Sequence, residues 1–334
     1  MNFQDTSFIS TSRTIIQNIL QEKDSRLLII VGPCSIHSKE EALEYAKLLK
    51  KEQEKYKDTL FFVMRSYFQK PRTTIGWEGI SVDPYLDSSY DYKAGIQICV
   101  EICQELTKMQ IPIADEALNM ELTDKWSEYL SYAALGARNS EDQNMRKYCS
   151  NLPCPVGVKH PRSGNLEDGV NSIVSVQYTM HRLFYKNTLH TFKGNEFAHI
   201  ILRGSSHQKT GNNISKEHIE ELDLLFTQHT IQNPAIICDL SHDNAKIDGK
   251  KNALHQVDNI KLVLELLQNH PTSKKLIKGV MIESHIKHGK QPINSPEHLR
   301  KGISITDECI NFEQTKEIFK QLHEFQISTF KVSS

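Results

Sequence analysis

LLIIVGPCSIH, residues 27–37, is the stretch that decides the fold. Leu27 to Val31 is an apolar run rich in β-branched residues, the pattern of a strand covered on both faces. Gly32-Pro33 ends it, because proline has no amide hydrogen to give to a ladder. Cys34, Ser35 and His37 follow at once. α/β enzymes keep their chemistry at the ends of such strands. A lone buried cysteine is otherwise an inert core thiol, so the reading turns on whether other strands end in reactive residues.

They do. Leu60–Met64 runs into Arg65, IPIADE (111–116) into Glu116, and YAALGAR (132–138) into Arg138. PVGVK (155–159) ends in Lys159 and HIILRG (199–204) carries Arg203. AIICDLSH (235–242) ends in Asp239 and His242, and GVMIESH (279–285) carries Glu283. Between these runs lie helical patterns at 39–56, 92–109, 123–131, 170–183, 257–267 and 312–325, the first opened by a capping box of Ser38 and Glu41, and a short helix is expected to open at Ser140 with Gln143 or Glu141. Alternation of this kind means parallel strands joined by right-handed crossovers, class α/β. Eight such strands predict a closed (β/α)8 TIM barrel. An open doubly wound sheet is the alternative, but no GxGxxG follows any strand. Residues 1–26 read as a short N-terminal extension with a helical pattern near Thr14–Gln21, and 27–334 as one barrel domain.

The composition agrees. A chain of 334 residues with 38% hydrophobic content can bury one large core, and a net charge of −1 gives no reason to expect nucleic acid or a membrane as partner. The N-terminus MNFQDTSFIS lacks the basic and apolar regions of a signal peptide, so a cytoplasmic location is expected. The seven cysteines are odd in number with no CxxC pair, which argues against a disulfide framework or a zinc knuckle. Cys99 and Cys103 read as helix core.

The strand ends divide by chemistry. Cys34, His242 and Glu283, with Asp307 in the loop SITDE (304–308), are ligand types suited to one divalent ion. A mixed thiolate, imidazole and carboxylate set favours Mn, Fe, Co or Zn over Mg or Ca. Arg65, Arg138, Lys159 and Arg203, with Lys70 and Arg72 in the loop QKPRTTIGW (69–77), form a cationic group. Arginine is the bidentate partner of phosphate and carboxylate, so substrates with more than one such group are expected. A metal beside them points to polarising a carbonyl while anions are held. His37, His160, His285 and His288 read as surface residues or as supports behind the ligands, and HQKTGNN (207–213) as a plain loop.

GPCSIH (32–37), MRSYFQKPRTTIGWEGI (64–80), GAR (136–138), PVGVK, HIILRG, DLSHDN (239–244), ESH (283–285) and SITDECI (304–310) resemble type I 3-deoxy-D-arabino-heptulosonate 7-phosphate (DAHP) synthase. KPRTT marks the branch that uses erythrose 4-phosphate. The resemblance implies a (β/α)8 barrel and metal ligands Cys34, His242, Glu283 and Asp307. It implies that Arg65, Lys70, Arg138, Lys159 and Arg203 hold phosphoenolpyruvate with Glu116 nearby, and that Arg72 and Thr73 meet the phosphate of erythrose 4-phosphate. Lys70, Glu116 and His242 are the expected catalytic residues, and a homo-oligomer, dimer or tetramer, is expected. The chain departs from the family in four places: Gln69 replaces Glu, DEALN (115–119) replaces GEFLD, GARNSEDQ (136–143) replaces GARTTESQ, and His160-Pro161-Arg162 replaces Asn-Gly-Thr. The last departure leaves open a different aldose phosphate as acceptor. A regulatory paralogue without turnover is the other alternative. A shortened-looking 181–195 segment and a short N-terminus lead us to expect weak or absent feedback by phenylalanine, tyrosine or tryptophan.

Overall fold

Alternate residues of each apolar run face opposite ways, and both faces are covered. In the computed structural model, which describes residues 3–207, 211–293 and 296–333, the elements follow in order. α1 (Phe3–Leu20) precedes β1 (Leu27–Gly32), α2 (Lys39–Tyr56) leads to β2 (Leu60–Arg65), and α3 (Tyr92–Lys108) to β3 (Ile113–Ala117). The single-turn α4 (Met120–Thr123) enters β4 (Leu130–Leu135), and α5 (Gln143–Cys149) enters β5 (Val156–Lys159). α6 (Leu166–Gln177) is followed by a hairpin, β6 (His181–Tyr185) and β7 (Thr188–Phe192). Next come β8 (His199–Leu202), α7 (Lys216–Gln228) and β9 (Ile236–Asp239). A second, very short hairpin, β10 (Lys246–Ile247) and β11 (Lys250–Lys251), precedes α8 (His255–Asn269), α9 (Pro271–Leu276), β12 (Ile277–Glu283) and α10 (Phe312–Ser333).

Eight parallel strands close into the expected barrel in the order β1-β12-β9-β8-β5-β4-β3-β2. The outward residues Leu27, Ile29 and Val31 join one cluster under the helices, while Leu28 and Ile30 join a second cluster inside the barrel. The same alternation puts Phe61, Val63, Tyr132, Ala134, Ile201, Ile237 and Met281 inside. Ile16, Ile19 and Leu20 of α1 belong to the inner cluster. The N-terminal helix therefore plugs the bottom of the barrel, and it is longer than the pattern at Thr14–Gln21 predicts. Arg13 Nε fastens it by donating to the Leu130 carbonyl at 2.8 Å.

Three local expectations fail for identifiable reasons. The helix expected at 123–131 is one turn only, because the fully buried Trp126 donates its indole N–H to Asp115 Oδ2 at 2.7 Å and turns the chain into β4. The helix expected at 170–183 stops at Gln177, and the stretch beyond pairs as a hairpin. Lys186 and Asn187 turn it with φ of 48° and 60°, the left-handed pair that matches strand twist. The short helix expected to start at Ser140 is capped by Asp142, whose side chain accepts from the Met145 amide at 2.8 Å. The Ser38 cap holds, with its hydroxyl accepting from the Glu41 amide at 3.2 Å.

Candidate active site

The inward alternation continues past the apolar layers to the top of the barrel. There it reaches Gly32, Arg65, Glu116, Gly136, Lys159, Arg203, Asp239 and Glu283. Six are ionisable and two have no side chain. The two glycines make room for the others: a Cβ at Gly32 would lie 2.7 Å from the Arg65 carbonyl oxygen, and one at Gly136 2.2 Å from Glu116 Oε1. Cys34, Arg138 and His242 lie just beyond, in the loops. A cleft of about 330 Å³ opens above this layer, lined by Lys70, Arg72, Thr73, Glu116, Arg138, Lys159, Arg203, His242 and Asp307 among others. Arg65 and Glu283 are fully buried beneath it and Cys34 nearly so. The structure thus brings every sequence-predicted site residue to one mouth.

Cys34 Sγ and carboxylate oxygens of Glu283 and Asp307 all lie within 4.8 Å of one another. His242 Nε2 is 3.5 Å from Glu283 Oε1, while its Nδ1 faces Asp239 Oδ2 at 2.7 Å. That second contact is the usual support behind a metal-binding imidazole, fixing its orientation. His242 holds a φ of 50°, an uncommon conformation that aims the ring into the cluster. Burial pushes the Cys34 thiol pKa up, Glu283 adds to the push, and Lys70 opposes it. Burial would raise the Glu283 pKa too, but Lys251, His242, Arg65 and Lys70 hold it well below the usual range. Soft sulfur and two carboxylates at this spacing, with the His242 imidazole beside Glu283, are donor types that fit one divalent ion.

The cationic side is wired differently. Arg65 spans from Glu283 Oε1, at 3.3 Å, to the Tyr67 ring, 3.9 Å from its centroid. Lys159 Nζ is 3.4 Å from Glu116 Oε2, and Arg203 Nη1 is 2.6 Å from Asp243 Oδ2. Burial draws the Lys159 pKa down against the pull of Glu116. Lys70 Nζ donates to the Cys34 carbonyl at 2.9 Å and to Cys34 Sγ at 3.2 Å, which places it between the two groups of residues.

This geometry has close counterparts. The chain matches the DAHP synthetase I family over residues 8–320. The chain belongs to that family. It is 35% identical over 335 residues to a phospho-2-dehydro-3-deoxyheptonate aldolase of Haemophilus influenzae, covering 99% of this chain and 90% of that one. A Tyr-sensitive aldolase of the same name from Escherichia coli is 34% identical, with 97% of this chain and 89% of that one covered. The structure of phospho-2-dehydro-3-deoxyheptonate aldolase from Francisella tularensis superposes with a TM-score of 0.90 at 34% identity, covering 97% of this chain and 92% of that one. In this member of the DAHP synthetase I family no helix among the described residues is long and apolar enough to cross a membrane.

Sequence reasoning missed Lys251. Its Nζ lies 2.9 Å from both Glu283 Oε2 and Asp307 Oδ2, inside the ligand cluster. The signal was present: Asp248-Gly249 is a two-residue hairpin turn, with φ of 49° and 79°, and it folds Lys251 back over the mouth. Three of the four histidines read as surface or supporting residues are buried: His37, His160 and His285. His37, Glu41 and His285 also gather within 4.8 Å. The Ile286 amide donates to His285 Nδ1 at 2.8 Å, so Nε2 carries the proton and faces Glu41 as a donor rather than as a ligand. That trio packs between the Cys34 loop, α2 and the end of β12, and among the described residues the His37 ring and Glu41 Oε2 make no hydrogen bond there. Of the loop 207–213, residues 208–210 lie outside the described residues.

Proposed function

We infer that the chain condenses phosphoenolpyruvate with erythrose 4-phosphate and water, giving DAHP and inorganic phosphate, the first step of the shikimate route to aromatic amino acids. Family membership along nearly the whole chain carries this reading, and a cleft with cations on one side and metal-ligand types on the other supports it. Cys34, His242, Glu283 and Asp307 would hold a divalent ion. When bound, that ion supplies Lewis-acid polarisation of the acceptor aldehyde, and the donor set suits Mn, Fe, Co or Zn.

The chain's own residues account for the rest. Arg65, Lys70, Arg138, Lys159 and Arg203 bind the carboxylate and phosphate of phosphoenolpyruvate, while Arg72 and Thr73 meet the acceptor. The new bond joins C3 of phosphoenolpyruvate to the aldehyde carbon, water adds at C2, and the C2–O bond breaks to release phosphate. Lys70 Nζ, placed between the two groups, delivers the proton to the new hydroxyl. Glu116 keeps Lys159 charged and takes the proton of the incoming water. His242 acts from the metal side.

The enzyme works in the cytoplasm as a homo-oligomer, dimer or tetramer, with feedback by aromatic amino acids weak or absent. Micromolar binding of phenylalanine, tyrosine or tryptophan with matching inhibition overturns the last point, and light scattering checks the assembly. The reaction is tested by phosphate release from phosphoenolpyruvate with a panel of aldose phosphates. Release with erythrose 4-phosphate alone is expected. Release only with another aldose moves the acceptor, and none with any of the four metals removes the activity.

A further inference from the structure

Two guanidinium groups meet on one hydroxyl in the cleft with no carboxylate partner, and a third lines the same cleft. Arg138 sets its Nη2 2.8 Å and its Nε 3.2 Å from the Thr73 hydroxyl oxygen, and Arg162 Nη1 is 3.4 Å from the same atom. Arg72 lines the same cleft. Its guanidinium folds against Gly76, where a Cβ would lie 2.6 Å from Nη2. The other cations around the mouth are matched: Lys159 by Glu116, Arg203 by Asp243, Lys251 by Glu283 and Asp307. Among the described residues Arg72, Arg138 and Arg162 make no ion pair. One neutral hydroxyl cannot compensate neighbouring positive charges. The strain registers on Arg138, whose pKa is drawn down by burial and by the Arg162 charge.

Arg162 is not a stray surface arginine. Its carbonyl accepts from the Ser206 amide at 2.9 Å and from the Ser206 hydroxyl at 2.8 Å. Just before it, the fully buried His160 accepts the Arg203 amide at Nε2, 3.1 Å away. His160 Nδ1 then donates to the Pro161 carbonyl at 2.9 Å. The segment that carries Arg162 is thereby tied to the strand end that carries Arg203. Guanidinium forks match phosphate oxygens, and a phosphomonoester carries nearly two negative charges at neutral pH.

We propose that Arg162, beside Arg72 and Thr73, closes a clamp on the terminal phosphate of the acceptor aldose, while Arg138 on the other side of Thr73 stays with phosphoenolpyruvate. A phosphomonoester is then the feature by which this chain selects acceptors. The proposal rests on the condensation reading above and adds a specificity-determining residue to it.

The test compares wild type with Arg162→Ala and Arg162→Lys in the metal-loaded enzyme. Two readouts are used: steady-state kinetics, and calorimetric binding of erythrose 4-phosphate without phosphoenolpyruvate, so that no turnover occurs. The alanine variant should raise KM and Kd for erythrose 4-phosphate ten- to a hundredfold, about 1.4 to 2.8 kcal/mol. Its KM for phosphoenolpyruvate and its kcat should stay within about twofold, and its preference for erythrose 4-phosphate over erythrose should shrink in proportion. The lysine variant, which keeps the charge but not the fork, should fall between. An unchanged Kd for erythrose 4-phosphate, or an equal rise for both substrates, overturns the clamp. Arg162-dependent binding without phosphate release upholds the clamp and sinks the reaction instead.

Discussion

The Lys70 ammonium lies 3.2 Å from the Cys34 sulfur. This one contact ties the donor side of the mouth to the anion-binding side. It also favours the thiolate, against the burial that disfavours it. Cys34→Ser should therefore weaken divalent metal binding by calorimetry at least tenfold and lose activity in step. Full activity in the serine variant would remove Cys34 from the ligand set.

Lys251 stands among the same ligands as a tethered cation. With Lys251→Met the carboxylates of Glu283 and Asp307 lose their ammonium, so the metal-free protein should melt several degrees lower. Metal affinity should move the other way. Repulsion between a lysine and a divalent ion at close range is several kcal/mol even at an effective dielectric of about 20. Lost orientation of two ligands is worth roughly 10- to 100-fold, about 1.4 to 2.8 kcal/mol. Weaker metal binding in the methionine variant would mean that orientation outweighs charge.

Gly136→Ala tests the top layer of the barrel. The added methyl would fall 2.2 Å from Glu116 Oε1, so the carboxylate must shift away from Lys159. Overpacking of this kind destabilises by about 1–3 kcal/mol. A misplacement near 1 Å at reacting groups can remove roughly 100-fold in rate. A folded variant with kcat/KM down tenfold or more is the expected result. Wild-type kinetics would show that the position of Glu116 is of no consequence.

His160 supplies a pH signature. In the unfolded chain it takes up a proton near pH 6.5. In the native state burial pushes that value down to about 4, with the Arg203 charge adding to the push. Native stability is thus complete above about pH 6.5 and is lost as pH falls toward 4. The loss reaches about 2 kcal/mol at pH 5 for this one group. The substitution His160→Gln keeps an acceptor for the Arg203 amide and removes the titrating group. Urea unfolding should show the stability gap between wild type and H160Q narrowing by about that amount from pH 7.5 to 5. A constant gap would contradict the neutral, buried assignment.

The barrel was legible because its strands are buried on both faces and read as unbroken apolar runs. The site was legible for a related reason. An ionisable residue directly after such a run must lie where the barrel opens, so Arg65, Glu116, Lys159 and Glu283 could be placed from sequence alone. Lys251 was harder to place, since it reaches the ligands from a two-residue strand and only the Asp-Gly turn before it, not an apolar run, announces it. Trp126 misled in the opposite direction. It fits a helical period locally, and its burial against Asp115, eleven residues earlier, decides otherwise. The hairpin at His181–Phe192 was hidden because Lys-Asn is a weaker turn signal than Asn-Gly.

The plug formed by α1 also bears on the order of assembly. Ile16, Ile19 and Leu20 are synthesised before the strands they settle against, which run from Leu28 through Met281. Their seat is complete only when β12 pairs with β1 and β9. A helix made before the whole barrel is therefore among the last elements to find its place, and until then its apolar face stands open to solvent and to chaperones.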